Sequence, residues 1–277
     1  RHLAQTLQRA GHTIIRAVRT PQQASDIAVN FCTDTDASVW LPRLHDIDVV
    51  INTVGVLRDS KENPMQKLHL DTPSALFQAC ALVNIKRIVH ISALGVDSGV
   101  DVPYFSTRLQ AEHLLRELPA QIRSLCLRPS VIYGADGASA ILFRTLAKLP
   151  IQALPLGGTQ TLQPVHIDDI CQAVTNWLAD THAGSQLVNA VGADDTTMRG
   201  MLDSYREQLH RSPAWHLALP QWITWLMAKI GDHIPASPMC SDIYAMLAVN
   251  NTASSSEFSR LLGKQTRSYR DFIREHL

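Results

Sequence analysis

The chain has 277 residues, 45% of them apolar, and its 25 Lys and Arg balance 25 Asp and Glu. Bulk charge therefore excludes a polybasic nucleic-acid binder, and the apolar share is enough for a sizeable core. Cys32, Cys80, Cys126, Cys171 and Cys240 stand singly, mostly inside apolar runs. That spacing argues against a disulfide framework and for a reducing compartment. No stretch reaches the ~18 unbroken apolar residues of a membrane span. Residues 215–230 come nearest, and His216, Gln221 and Lys229 interrupt them. Residues 1–10 are polar and do not read as a signal peptide.

In chain order, Leu3, Ala4, Leu7 and Ala10 recur at helical spacing, and Gly11 supplies a C-terminal cap. Residues 13–18 read as a β-branched strand and 26–31 as a weaker one. A short helix is expected over 38–44 and a strong buried strand over 48–54. A helix over 64–82 contains Pro73, so it is expected to kink or to start late. Strands at 86–92 and 122–132 flank a helix at 103–118. Continuous apolar strands between amphipathic helices imply a parallel sheet covered on both faces, for which a doubly wound α/β fold is the simplest solution.

After Tyr133 the rhythm changes. A strand at 163–167 runs into a helix at 168–179, and 186–190 is another strand. From Met198 the pattern reads as mostly helical, broken by Pro213, Pro220, Pro235 and Pro238. The expected organisation is a dinucleotide-binding core over 1–135, to which 163–192 return. A smaller helix-rich lobe would comprise 136–162 and 193–277.

A Rossmann-type unit opens with a strand, a glycine-rich turn and a helix, and the turn holds the pyrophosphate. No such glycine motif occurs in these residues, and Arg1-His2-Leu3 already reads as the first helix. Either the sheet is built without that strand, or the strand and turn lie upstream of Arg1; the second is the expectation. By that reasoning these 277 residues alone bind dinucleotide poorly.

Five segments carry a resemblance. Ile51-Asn52-Thr53-Val54-Gly55-Val56-Leu57 resembles an N-x-x-G segment under the adenine and ribose. His90-Ile91-Ser92-Ala93-Leu94-Gly95 resembles the strand bearing a catalytic serine. Tyr104-Phe105-Ser106-Thr107-Arg108 stands where Y-x-x-x-K is usual. Arg128-Pro129-Ser130-Val131-Ile132-Tyr133-Gly134 resembles R-P-x-x-x-Y-G beside the nicotinamide. Gln163 to Asp169 resembles P-V-H-V-x-D. Together they resemble an atypical extended short-chain dehydrogenase/reductase. The chain is most similar to bacterial relatives of the nucleotide-binding accessory subunit of respiratory complex I. Motif order supports the fold, not a substrate.

The resemblance implies hydride transfer on a small apolar or quinone-like substrate. Ser92 would hold the substrate oxygen and Tyr104 would act as acid/base. A phenol with a free pKa of ~10 must be drawn towards neutrality for that role. Arg108 replaces the usual lysine. It is permanently charged, but its planar fork cannot reproduce an ammonium's ribose contacts. The alternative is therefore a non-catalytic nucleotide-binding scaffold. On the residues alone, Tyr104 and Arg108 read as a surface pair at a helix start with no chemistry; the resemblance is what gives them roles. Arg19, Asn52, Val54, Gly55, Arg108, Arg128, Pro129 and Ser130 are the expected cofactor-binding residues. Arg16 and Arg19, with no acid at the end of the second strand, favour NADP(H) over NAD(H).

Asp168 and Asp169 read as helix-capping carboxylates. His90 and His166 read as structural, and no metal site is expected. The Trp215, Trp222, Trp225, Leu226 and Met227 segment reads first as a helix packed on the core. Its functional alternatives are a lid over an apolar substrate, or a surface meeting a membrane or partner. Expected partners are a small-molecule substrate and no nucleic acid, with membrane or membrane-protein association left open. A monomer or weak oligomer, cytoplasmic or peripheral to an inner membrane, completes the expectation.

Overall fold

The computed structural model describes residues 1–234 and 237–274, so Pro235 lies outside the described residues. Helix α1 (His2–Arg9) precedes the short strands β1 (Ala17–Val18) and β2 (Ile27–Ala28). Helix α2 (Ala37–Trp40) is N-capped by Asp36, whose carboxylate accepts from Ser38 N–H. Strand β3 (Val49–Asn52) leads through a loop to helix α3 (Thr72–Leu82). A single π-turn, Lys67–Asp71, comes immediately before α3. Pro73 sits in the first turn of α3, directly after a π-turn that continues the helical residues 65–66, so the helix is irregular rather than late. The turn upstream is widened rather than broken.

Strand β4 (Arg87–Ile91), helix α4 (Pro103–Arg116) and strand β5 (Arg123–Pro129) complete the first alternation. Then follow β6 (Ile132–Tyr133), α5 (Ala138–Lys148), β7 (Ile151–Pro155), β8 (Thr161–Leu162) and β9 (Val165–His166). After helix α6 (Ile167–Ala179) come β10 (Gln186–Ala190), β11 (Thr196–Thr197), α7 (Met198–Gln208), β12 (Trp215–Leu219) and α8 (Gln221–Gly231). The region after Met198 is thus less helical than its composition suggests. Residues 215–219 form a strand because they find a parallel partner in 151–155, a long-range pairing that no local pattern specifies.

The described chain divides into two compact units, 1–128 with 174–188, and 129–173 with 189–277. The main sheet of the first unit has the order β10-β5-β4-β3. Its β3–β4 and β4–β5 ladders are parallel, with Asn52 level with His90 and His90 level with Cys126. This is the doubly wound α/β arrangement expected from the sequence. Strands β1 and β2 pair parallel with each other and not with β3. Among the described residues, the outer edge of β3 has no strand beside it. A core of Val29, Trp40, Val50, Leu76, Phe77 and Ile88, among others, sits under this layer. Arg87 closes the C-terminal end of α6: its Nη1 donates to the Trp177 and Leu178 carbonyls, and its guanidinium lies over the Trp177 ring.

The second unit has its own core around Tyr133, Leu154, Met201, Leu202, Tyr205 and Phe272. Its strands pair two by two, as β6 with β9, β7 with β12 and β8 with β11.

Candidate functional site

The C-terminal ends of β3 and β4, the loop after β3, the π-turn and the first turns of α4 converge in the first unit. Asn52, the last residue of β3, is buried and uses its amide twice. Its Oδ1 accepts the Val54 N–H at 3.1 Å, and its Nδ2 lies 3.1 Å from His90 Nδ1. With the amide oxygen taken by Val54, the NH2 group faces His90, so His90 Nδ1 accepts and the ring carries its proton on Nε2. That Nε2–H is buried and has no hydrogen-bond partner.

His69 projects from the π-turn, a helical irregularity that often marks a functional position. Its Nε2 accepts the Val56 N–H at 3.0 Å, and its Nδ1 lies 3.2 Å from Thr107 Oγ1. The Thr107 hydroxyl donates to the Pro103 carbonyl at 2.6 Å, so it accepts from His69 Nδ1–H. One imidazole thereby fixes the loop after β3 against α4, in a single tautomer. Burial, reinforced by the nearby Arg108 charge, pulls both His69 and His90 down to about 3. Both rings are neutral at physiological pH.

Arg108 is 7% exposed. Its Nη1 donates to the Ile91 carbonyl at 3.0 Å, and its guanidinium carbon lies 4.8 Å from the centroid of the Tyr104 ring. The contact with Tyr104 is made across the face of the ring. The His69 ring meets Tyr104 edge to face, with centroids 5.6 Å apart. A Cβ at Gly55 would stand 2.0 Å from Arg108 Nη2, so a larger residue there would have to displace the guanidinium from this packing. No carboxylate among the described residues lies within ion-pair distance of Arg108, and its Nε has no partner. The hydroxyl of Ser92, the residue after Ile91, is buried and also without a partner. Ser92, Tyr104, Arg108, Asn52, Val54 and Gly55 are thus linked within one neighbourhood. Sequence reasoning missed His69 and Thr107, whose sole forewarning was the irregularity signalled by Pro73.

Other expected residues are differently engaged. Arg128 Nε and Nη2 grip the buried Glu112 carboxylate, at 2.6 Å for Nη2, while Nη1 meets Asp97 at 2.5 Å. Arg16 pairs bidentately with Asp26 and, with two backbone N–H groups, holds that carboxyl down to about 2. Arg19 is exposed at the end of β1 and donates to Asn63 Oδ1. Pro129 ends β5, and the Ser130 hydroxyl bonds Asn251 within the second unit. Also in the second unit, Asp168 and Asp169 hold Arg267, whose backbone N–H donates to Asp169 at 2.8 Å. His166 Nδ1 accepts the Asp168 N–H at the start of α6. All five cysteines are free. Among the described residues no helix is long and apolar enough to cross a membrane.

Residues 1–191 match the NAD dependent epimerase/dehydratase family. The chain belongs to that family. It is 22% identical over 176 residues to the mitochondrial NADH-ubiquinone oxidoreductase 40 kDa subunit of Neurospora crassa, covering 64% of this chain and 45% of that protein. It is 23% identical over 137 residues to the mitochondrial NADH dehydrogenase [ubiquinone] 1 alpha subcomplex subunit 9 of Mus musculus, covering 49% and 36%. The matched stretch therefore spans less than half of either relative.

Among solved structures, MoeE5 in complex with UDP-glucuronic acid and NAD superposes with a TM-score of 0.72 at 18% identity, covering 100% of this chain and 95% of that one. The UDP-glucuronic acid 4-epimerase from Bacillus cereus, in complex with UDP-glucuronic acid and NAD, gives 0.62 at 20%, covering 100% and 96%. At such identities the likeness shows the fold alone, a Rossmann-type α/β architecture.

Proposed function

We propose that the first unit binds a nicotinamide dinucleotide along the C-terminal ends of β3 and β4 and that the protein is an oxidoreductase acting on a small apolar or quinone-like substrate. One observation carries this reading. Arg108 is a buried cation without a counter-ion, and beside it Ser92 Oγ, Arg108 Nε and His90 Nε2 are buried polar atoms with unspent hydrogen-bonding capacity. Buried groups of this kind are costly unless a ligand satisfies them, so they mark a site for an acceptor-rich molecule.

When bound, the nicotinamide supplies or takes the hydride. Asn52, Val54 and Gly55 would hold the adenosine side, where Gly55 admits both close backbone approach and the Arg108 fork. Ser92 orients the substrate oxygen. Tyr104, held by the His69 edge and the Arg108 fork, exchanges the proton with that oxygen. Arg19 favours a 2′-phosphate, hence NADP(H), and it does so alone because Arg16 is committed to Asp26. Arg128 is committed to Glu112 and Asp97 and acts as a structural support rather than as a donor to the ligand.

The test measures NADPH and NADH binding, and quinone-dependent NADPH oxidation, on the full-length protein. Tyr104→Phe should abolish turnover and leave binding within a few-fold. Tighter binding of NADH than NADPH would overturn the Arg19 assignment.

A second reading, binding without turnover, is favoured by one specific contact. The Arg108 charge lies over the Tyr104 ring and is tied to the Ile91 carbonyl, so its fork is not free for the role a lysine plays. Turnover gained by Arg108→Lys would support it. The relatives named as NADH-ubiquinone oxidoreductase subunits also support a peripheral place at a membrane or a membrane protein.

A further inference from the structure

Helix α8 is inside out. Its buried positions are Thr224, Ala228 and Gly231, one small residue per turn on a single stripe. The fit there is close: Thr224 Oγ1 accepts the Leu156 N–H, and a Cβ on Gly231 would stand 1.8 Å from the Met239 carbonyl oxygen. The large side chains consequently point outward. Trp222 is 66% exposed, Trp225 49% and Ile230 53%. The same holds for the preceding ribbon, where Trp215 is level with Ile151 and both face solvent, Trp215 at 80%. This overturns the expectation of a segment packed on the core. The physical reason is that the helix presents its narrow face to the unit, and rotating it would drive Trp or Ile against the Met239 loop.

The segments that carry these side chains contain basic but no acidic residues. No carboxylate occurs between Asp136 and Asp168, or between Glu207 and Asp232, while Lys148, Arg211 and Lys229 are exposed there. The nearest acids are engaged. Asp203 reaches from α7 to His216 and Arg199, and Asp232 holds Ser241 and lies 4.0 Å from Lys229. A chain neutral overall has thus gathered tryptophans, aliphatic side chains and exposed basic side chains on segments adjoining in sequence; Lys229 is paired with Asp232, while Lys148 and Arg211 have no ion pair among the described residues. Tryptophan suits the headgroup boundary, and long basic side chains reach the phosphates beside it.

We propose that α8 and the β7–β12 ribbon are a docking surface for an anionic lipid bilayer, entered by Trp215, Trp222 and Trp225 and flanked by Lys148, Arg211 and Lys229. This deepens the peripheral-membrane reading above and is independent of the nucleotide site.

The experiment is co-sedimentation of the full chain with sonicated vesicles, together with tryptophan emission. One set is pure phosphatidylcholine; the other is three parts phosphatidylcholine to one part phosphatidylglycerol. Pelleting and a blue shift with the anionic vesicles, weakened by salt, are expected. Trp222→Ser with Trp225→Ser should abolish both without changing the circular dichroism spectrum, since these side chains make no core. Lys148→Glu with Lys229→Glu should weaken partitioning on the order of tenfold or more. No pelleting with anionic vesicles at low salt would overturn the proposal, as would pelleting indifferent to both pairs of substitutions. A stable dimer by light scattering that the tryptophan substitutions dissolve would also overturn it, in favour of a second copy. Salt-resistant co-fractionation with native membranes in a chain that ignores both vesicle types would overturn the lipid surface while leaving the peripheral-membrane reading standing.

Discussion

Acidification from pH 7 to pH 5 should destabilise the first unit through His69 and His90. Each ring has an ordinary value of 6.5 and is pulled to about 3 by burial and by Arg108. The unfolded chain therefore binds protons in this window while the native state does not, so stability is full above 6.5 and falls as pH falls towards 3. The slope is about 1.4 kcal/mol per pH unit per histidine once the unfolded rings are protonated. Allowing for partial protonation near 6.5, the step from pH 7 to 5 removes about 2 kcal/mol per ring. About 4 kcal/mol is the upper bound for the pair, reached when both native rings stay neutral throughout the window. Asp26 is depressed and loses its contribution only below the ordinary carboxylate value. Asp169, raised by burial, acts with the opposite sign. The difference between the parent chain and a His69→Gln, His90→Gln double variant isolates the imidazoles. The assay is urea denaturation at both pH values, followed by the fluorescence of the buried Trp40 and by circular dichroism. An unchanged midpoint, or an equal pH loss in the double variant, would refute the assigned tautomers and burial. So would imidazole NMR titrations above pH 5.

Three further outcomes are expected. Gly55→Ala places a methyl against the Arg108 fork and should cost about 1–3 kcal/mol of stability together with dinucleotide affinity, read by thermal melts and by titration. Glu112→Ala leaves the Arg128 guanidinium buried against Asp97 alone and should cost about 3–5 kcal/mol. A Glu112→Leu, Arg128→Met pair should recover most of that loss, and a pair as unstable as the single variant would contradict the account. Arg19→Glu should lower NADPH affinity on the order of tenfold and leave NADH affinity within a few-fold, measured by fluorescence titration; equal losses would remove Arg19 from the cofactor site.

The elements of the first unit were legible because their apolar runs are local and periodic. The 48–54 run became β3, the 86–92 run became β4, and the helix expected over 64–82 runs from residue 65 with its irregularity realised as the π-turn at 67–71. The links among Asn52, Gly55, Ser92, Tyr104 and Arg108 were foreshadowed by motif order. The commitment of Arg128 to Glu112 was not, because a buried ion pair joins residues 16 apart on different elements. His69 was missed for a related reason: Pro73 signals an irregular helix but not that a π-turn will rotate His69 onto Val56 and Thr107.

The sequence alone determined the alternation of strand and helix and the parallel sheet it implies, since hydrophobic periodicity acts within a few residues. It also determined that a charged fork stands four residues after Tyr104. Tertiary structure decided where that fork rests, which arginines are committed to buried carboxylates and which face of α8 turns outward. Those outcomes depend on close approaches across the chain, Gly55 against Arg108 and Gly231 against Met239, where the room left by one residue sets the orientation of another.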